Sequence, residues 1–166
     1  WNVSNVTNMD GMFWEASSFN QPLDSWDMSN VTSMSHMFYP KLIRTDDDIM
    51  NAVNDWGDDR SIALEKYGHI SEWVTSRVTC MNKLFYCKKY FNDDISKWNV
   101  SNVTNMGNLF CKASSFNQPL DTWNVSNVTD MGRMFWKASS FNQPMDSWNV
   151  SNVTNMYGMF YEASLF

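Results

Sequence analysis

Basic residues are scarce in this chain. Its 166 residues carry 12 Lys and Arg against 18 Asp and Glu, a formal net charge of −6. A chain so short of cations lacks a basic stripe for phosphates, which argues against nucleic acid as a partner. The same deficit argues against an anionic membrane surface. Histidine is rarer still. His36 and His69 stand alone, and neither has a cysteine or carboxylate at a ligand spacing that recurs elsewhere. There is no Gly-rich phosphate loop, no nucleophile elbow and no HExxH, so the expectation is a non-enzyme with no metal and no cofactor. No apolar run approaches the roughly 20 residues that cross a bilayer, which excludes membrane insertion within this chain. Three cysteines is an odd number, so at least one thiol is free or pairs elsewhere. Cys87 follows Trp73, and Cys111 follows Trp98, at distances that differ by a single place. Such near-equivalent places allow a bridge between neighbouring units, or two small apolar fillers. The chain opens at Trp1 without an initiating Met or signal-like start. It reads as an excerpt of a longer array whose targeting signals lie elsewhere.

What the chain has in abundance is repetition. The stretch beginning Trp123-Asn124-Val125-Ser126-Asn127-Val128-Thr129 starts again at Trp148, and copies open at Trp1, Trp26, Trp73 and Trp98. From one opening tryptophan to the next the numbering advances by a constant 25, except for the step of 47 from Trp26 to Trp73. A fixed period in this range is the signature of stacked structural repeats.

Each copy reads as three layers. Leu120-Asp121-Thr122-Trp123-Asn124-Val125 ends in apolar–polar alternation, the pattern of a short half-buried strand with Trp and Val inward. Pro119 and Pro144 stand just before this strand, at its edge, where proline is tolerated. Copies stacked in parallel about 4.8 Å apart would set Asn99, Asn124 and Asn149 in a ladder. Ser101-Asn102-Val103-Thr104 suits a turn, its Thr placed as a helix N-cap. Met106, Leu109, Phe110 and Ala113 have the i, i+3, i+4, i+7 spacing of one helix face. The fold class expected is therefore an α/β repeat solenoid, a short parallel strand plus a short helix per 25-residue repeat.

Between Tyr39 and Trp73 the pattern stops. Thr45-Asp46-Asp47-Asp48 precedes Ile49, Ala52, Val53 and Trp56 at helical spacing, and Asp58-Asp59 precedes Ala63, Leu64 and Tyr67, with Gly68 as a stop. The Asp cluster is read as a helix N-terminus, since it lacks the glycine and distal glutamate of a calcium loop. The domain reading is two repeats ending an upstream array over 1–39, a helical hairpin over 40–72, and four repeats over 73–166, the last truncated. The hairpin is either the cap of a second array or a looped-out insertion.

The motifs Trp-Asn-Val-Ser-Asn-Val-Thr-x-Met and Met-Phe-x-x-Ala-Ser-Ser-Phe-Asn-Gln-Pro-Leu-Asp, cleanest from Trp98 to Asp146, resemble the 25-residue repeats of the BspA-like leucine-rich repeat surface proteins, a group that includes many mycoplasma lipoproteins. Tyr67-Gly68-His69-Ile70-Ser71-Glu72-Trp73 is similar to the segment that opens such arrays. The resemblance implies a leucine-rich-repeat-like solenoid, presented extracellularly or at the cell surface, with adhesion or protein contact as its work. No catalytic residues come with it. One departure stands: Asn30, Asn127 and Asn152 fall at the eighth place, where standard leucine-rich repeats put asparagine at the ninth.

Three sets of candidate interaction residues follow. Asn99, Ser101, Asn124, Ser126, Asn149 and Ser151 form an outward polar row, either a binding face or a solvated sheet. Trp14, Tyr39, Tyr86, Trp136 and Tyr161 follow the core Phe of each copy, interrupted by Cys111. They form either an exposed aromatic flank or packing between neighbouring helices. Asn-x-Ser/Thr occurs nine times, and Asn2, Asn30 and Asn102 are possible glycosylation sites, against a reading in which the repeat creates the motif incidentally. The function expected is a protein–protein interaction or adhesion module. The alternative is a structural subunit of a fibre, appendage or coat, and glycan binding is a third reading. Partners would be other proteins, copies of the chain itself, or glycans.

Overall fold

The computed structural model describes residues 1–13, 23, 26–34 and 42–166. Trp14 and Tyr39 of the aromatic flank, His36, and the expected array end near Tyr39 lie outside them. The chain divides into two compact units, Trp1–Ile43 and Arg44–Phe166.

In the first unit two copies of the repeat meet at a parallel bridge between Asn8 and Ser33. The Thr32 amide and hydroxyl both donate to the Thr7 carbonyl, at 2.8 and 3.0 Å. Buried Val3 and Met9 gather Val6, Phe13, Leu23, Trp26, Met28 and Val31, and Trp1 stacks on Trp26 at 6.2 Å.

The second unit opens with strand Ile43–Thr45 (β1), its first residue at the unit boundary, then helices Ile49–Asp58 (α1) and Arg60–Tyr67 (α2), a 3-10 turn at Ile70–Glu72, and strand Val74–Arg77 (β2). β1 and β2 form a two-stranded parallel sheet, with the helices as the crossover. Ile49, Ala52, Val53 and Trp56 are the buried residues of α1, the four that the helical spacing singles out. Asp59 caps α2, its carboxylate accepting from the amides of Ser61 and Ile62, and Gly68 ends it at φ 70°. Asp48 does not cap α1 with its side chain. It instead accepts from the Thr45 amide and pairs at 2.7 Å with buried Arg44, whose guanidinium lies over Tyr67 and Trp73. Asp46 crosses to the first repeat and accepts from the amides of Thr79 and Cys80.

From Trp73 onward the repeats lie in register. Cys80, Asn105, Asp130 and Asn155 pair in succession through parallel bridges. The amides of Thr104, Thr129 and Thr154 donate to the Thr carbonyl of the preceding repeat, and the amides of Met81, Met106 and Met131 donate forward to Asn105, Asp130 and Asn155. The Thr hydroxyls join the same ladder by donating to that earlier carbonyl, so they cap no helix.

The segment expected as a helix is a run of turns. Within Met106–Ala113 alternate amides leave the segment: Met106, Asn108, Phe110 and Lys112 donate to Asp130, Gly132, Met134 and Trp136 at 2.7–2.8 Å. Of the others, Gly107 donates to Asn105 Oδ1 and the rest close three-residue turns, Leu109 to Met106, Cys111 to Asn108 and Ala113 to Phe110. An α-helix would bond each amide past its first turn to the carbonyl four residues back, and no such bond forms here. Half of the segment's amides serve the next repeat, and Asn108 and Lys112 adopt positive φ of 57° and 62°, which no right-handed helix contains. Consecutive turns with left-handed third residues bury nearly the same set of side chains as a helix face does. Met106, Leu109, Phe110 and Ala113 are all fully buried.

The core consists of columns. Phe85, Phe110, Phe135 and Phe160 stack one repeat apart at 5.3, 5.5 and 5.5 Å. Phe91, Phe116, Phe141 and Phe166 form a second column at 5.8–6.1 Å, and the two are locked together at 3.9–4.0 Å within each repeat. These spacings follow the roughly 4.8 Å pitch of parallel backbone pairing. Trp98, Trp123 and Trp148 each donate their indole N–H to a carbonyl 28 residues earlier, on Ile70, Ile95 and Leu120.

Candidate interaction surface

The polar row takes a different form from a ladder. Asn99 Oδ1 accepts from the Ser101 amide and hydroxyl at 3.0 and 2.7 Å, Asn124 Oδ1 from the Ser126 amide, and Asn149 Oδ1 from the Ser151 amide. These are Asx turns closed inside single repeats. The side-chain amides that do link repeats belong to the asparagine three places further on. Asn102, Asn127 and Asn152 donate Nδ2 to the carbonyls of Ser76, Ser101 and Ser126 at 2.7–2.9 Å. Asn30 does the same to Ser4 in the first unit. A sugar would attach at that same nitrogen, so Asn30 and Asn102 already employ their acceptor atom in holding repeats together. Asn2 is bonded through Oδ1, to the amide and hydroxyl of Ser4.

The aromatic flank is a surface. Tyr86 is 40% and Tyr161 52% exposed. Trp136 is half-buried and stacks on Tyr161 at 4.1 Å. Both alternatives weighed for this column are therefore realised at once: the rings pack between repeats and still present area to solvent.

The flank also carries most of the repeat region's cations, which composition alone had hidden. The turn runs 79–90, 104–115 and 129–140 hold Lys83, Lys88, Lys89, Lys112, Arg133 and Lys137 against one acid, Asp130. Four of these sit at left-handed backbone positions: Lys83 at φ 61°, Lys112 at 62°, Arg133 at 54° and Lys137 at 58°. A non-glycine residue there costs about 1–2 kcal/mol. Glycine serves the Lys83 and Arg133 place at Gly11 and Gly158, and Cys87 and Glu162 serve the Lys112 and Lys137 place, also at positive φ. The side chains lie along the rings: Arg133 over Trp136 at 5.0 Å and over Tyr157 at 5.3 Å, Lys112 over Tyr86 at 5.8 Å, Lys89 over Tyr90 at 5.2 Å. Writing the repeats beneath one another would have shown the column Lys83, Asn108, Arg133.

Cys111 occupies the flank's one non-aromatic place and is buried, whereas Cys80 and Cys87 are exposed; all three are free thiols. Burial pushes the Cys111 thiol up, and neighbouring Cys87 adds to this, against the pull of Lys112, Arg133 and Lys137. A raised thiol is a poor nucleophile. Beside the flank, a half-open cavity of about 370 Å³ has Val53, Trp56, Phe85 and Phe91 as its apolar lining, with Lys88 and Lys89 among its polar residues. His69, Ser71 and Glu72 form a short hydrogen-bonded chain with the serine in the middle. Nucleophile activation puts the base in that middle place.

From Trp73 onward the repeats pair in register, and the turn runs that carry the flank of Tyr86, Trp136 and Tyr161 hold six of that region's cations. The chain matches the family described as Mycoplasma protein of unknown function, DUF285, over residues 1–57 and 60–166, and belongs to it, a BspA-like repeat-containing family. No curated protein matches the chain, nor does any solved structure. Among the described residues no helix is long and apolar enough to cross a membrane.

Proposed function

We propose that this chain is a surface-presented repeat solenoid that acts as a non-enzymatic adhesion module and makes its contacts through the turn flank. The observation that carries the reading is the row of exposed Tyr86, half-buried Trp136 and exposed Tyr161, broken only by buried Cys111, with Lys112 laid over Tyr86 and Arg133 over Trp136. Exposed aromatics beside arginine are the residue types that dominate binding energy at interfaces. An extended edge repeated at a fixed pitch suits a long partner better than a small ligand. The polar row is the poorer surface, because its asparagine oxygens are already spent on their own repeats.

The test is retention under flow. Beads coated with the chain are held against an epithelial cell layer and compared with beads carrying Tyr86→Ser and Tyr161→Ser together, melting temperatures being recorded for both proteins. The expected result is that the variant detaches at lower shear while melting within a few degrees of the parent. Equal retention would sink the proposal. Filaments of the parent seen by electron microscopy, with no retention, would point to the assembly subunit instead.

A further inference from the structure

We infer that the partner of the flank is an extended acidic polysaccharide, a polyuronate-like chain that lies along the stack with one carboxylate per repeat; this rests on the adhesive reading above.

Three observations lead there. The first is that the cations are held in register by the backbone. Lys83 donates its amide to Gly107 at 3.0 Å, Lys112 to Trp136 at 2.7 Å, Arg133 to Tyr157 at 2.8 Å and Lys137 to Tyr161 at 2.8 Å. Each sits on a rung of the inter-repeat ladder, so Lys112 and Lys137 stand one repeat pitch of about 4.8 Å apart, and Lys83 and Arg133 stand two pitches apart with Asn108 between them. That advance is close to the length of one pyranose in an extended linear glycan. Acidic peptides match it poorly. Side chains on one face of a strand recur every ~6.6 Å, and those one turn apart on a helix every ~5.4–6 Å.

The second observation is the placement of the charges. Lys112 and Lys137 occupy the same place in adjacent repeats, so two like charges stand one pitch apart, a repulsive arrangement that a bound polyanion relieves. Lys137 answers part of this with Glu162 at 3.2 Å. Four cations also stand at positive φ: glycine holds the Lys83 and Arg133 place at Gly11 and Gly158, while Cys87 and Glu162 hold the Lys112 and Lys137 place in the flanking repeats.

The third is the alternation of charge with ring. Tyr86, Trp136 and Tyr161 fall in the sequence between the place of Lys83 and Arg133 and the place of Lys112 and Lys137, and Lys112 lies over Tyr86 and Arg133 over Trp136, which stacks on Tyr161. A sugar presents an apolar C–H face and a carboxylate edge, so one residue of a polyuronate can meet a ring and a cation together. An acidic peptide satisfies the charges without using the rings in this register.

The probe is polygalacturonate oligomers titrated into the chain by calorimetry. Comparators are poly-glutamate and single-stranded DNA of equal charge, and a neutral dextran. The variant is Lys112→Asn, Arg133→Asn and Lys137→Asn together. Asparagine already occupies the Arg133 column at Asn108 with φ 57°, so the backbone holds it without rearrangement. A second variant with Lys112→Arg and Lys137→Arg keeps the charge. The parent should bind the polyuronate, more weakly as salt rises, and more tightly than either polyanion comparator. Loss of three charges should weaken binding by about 100-fold, at a factor of about five per charge, and the arginine variant should stay near the parent. Failure to bind polyuronate, an equal or tighter grip on poly-glutamate or DNA, or an unchanged affinity in the asparagine variant each overturns the inference. Polyuronate added to the flow assay separates the two readings. Flank-dependent adhesion that polyuronate leaves intact removes the sugar and keeps the adhesion. Polyuronate binding in solution by a chain that holds no cells removes the adhesion and keeps the ligand class.

Discussion

Truncating Phe135 to alanine probes the column that holds the repeats together. The ring is fully buried and stacks on Phe110 at 5.5 Å, Phe160 at 5.5 Å and Phe141 at 4.0 Å. Returning such a side chain to water forfeits about 2–3 kcal/mol of transfer free energy. Each ring contact adds roughly 0.5–1.5 kcal/mol, and the three overlap because one ring makes them all. The cavity left behind collapses little, since its walls are pinned by backbone bonds between repeats. The expected loss is therefore about 4–5 kcal/mol, the upper part of the range for Phe→Ala. Urea unfolding followed by tryptophan fluorescence and far-ultraviolet circular dichroism measures it, with the denaturant slope checked, because repeat arrays can unfold in parts. Tyr161→Ala, at the exposed flank, is the control and should cost under about 1 kcal/mol. If Phe135→Ala costs less than ~1 kcal/mol, or no more than Tyr161→Ala, the stacked column is not what stabilises the repeats.

Three further outcomes follow from the hydrogen bonds and glycines. Asn127→Ala removes a 2.7 Å bond between repeats and should cost about 0.5–1.5 kcal/mol by chemical denaturation; Asn124→Ala, which loses only a turn inside one repeat, should cost less. For Asp46, partial burial raises the carboxyl pKa, but the Thr79 hydroxyl and the amides of Thr79 and Cys80 outweigh it, and the net shift is downward. A carboxylate lowered in the folded state stabilises above its unfolded value and loses that contribution as pH falls through the folded one. Thermal melts from neutral pH into strong acid should therefore show Asp46→Asn less stable at neutrality, the gap to the parent closing in acid; a gap independent of pH would contradict this. Gly132→Ala would place a methyl 2.6 Å from Asn155 Nδ2 and 3.1 Å from Asp130 Oδ1. It should lower stability by about 1–3 kcal/mol in the same denaturation assay, and a neutral result would mean that this bridge is looser than described.

The inward side chains were legible in the sequence. Trp98 and Val100, and Trp123 and Val125, are buried with Asn99 and Asn124 exposed between them, although the strand expected at Leu120–Val125 does not form and the parallel bridges fall instead at Cys80, Asn105, Asp130 and Asn155. The four apolar positions of α1 are its buried four. The element carrying Met106, Leu109, Phe110 and Ala113 was not legible, because turns three residues long and a helix of about 3.6 residues per turn bury nearly the same places over two turns. What decides between them is where alternate amides go, and that depends on a neighbour one whole repeat away. For the same reason Thr104 and Thr129 read as helix caps when their hydroxyls belong to the ladder. The candidate site was half visible. Aromatic periodicity marked Tyr86, Trp136 and Tyr161, while the cations escaped notice under a net charge of −6. Lys83, Lys112, Arg133 and Lys137 come together only when the repeats are laid in register.

The bonds between repeats keep constant offsets: 25 residues for the threonine carbonyls, 26 for the asparagine amides and 28 for the indoles. Each repeat asks of its predecessor what its successor asks of it. A duplication or deletion of one whole repeat within the regular run therefore joins surfaces that already match, whereas a gain or loss of a single residue throws every later bond out of step. Recombination between near-identical copies would lengthen or shorten the protein in whole units of about 4.8 Å. The heritable variable in such a chain is its reach, which selection can adjust without redesigning any repeat.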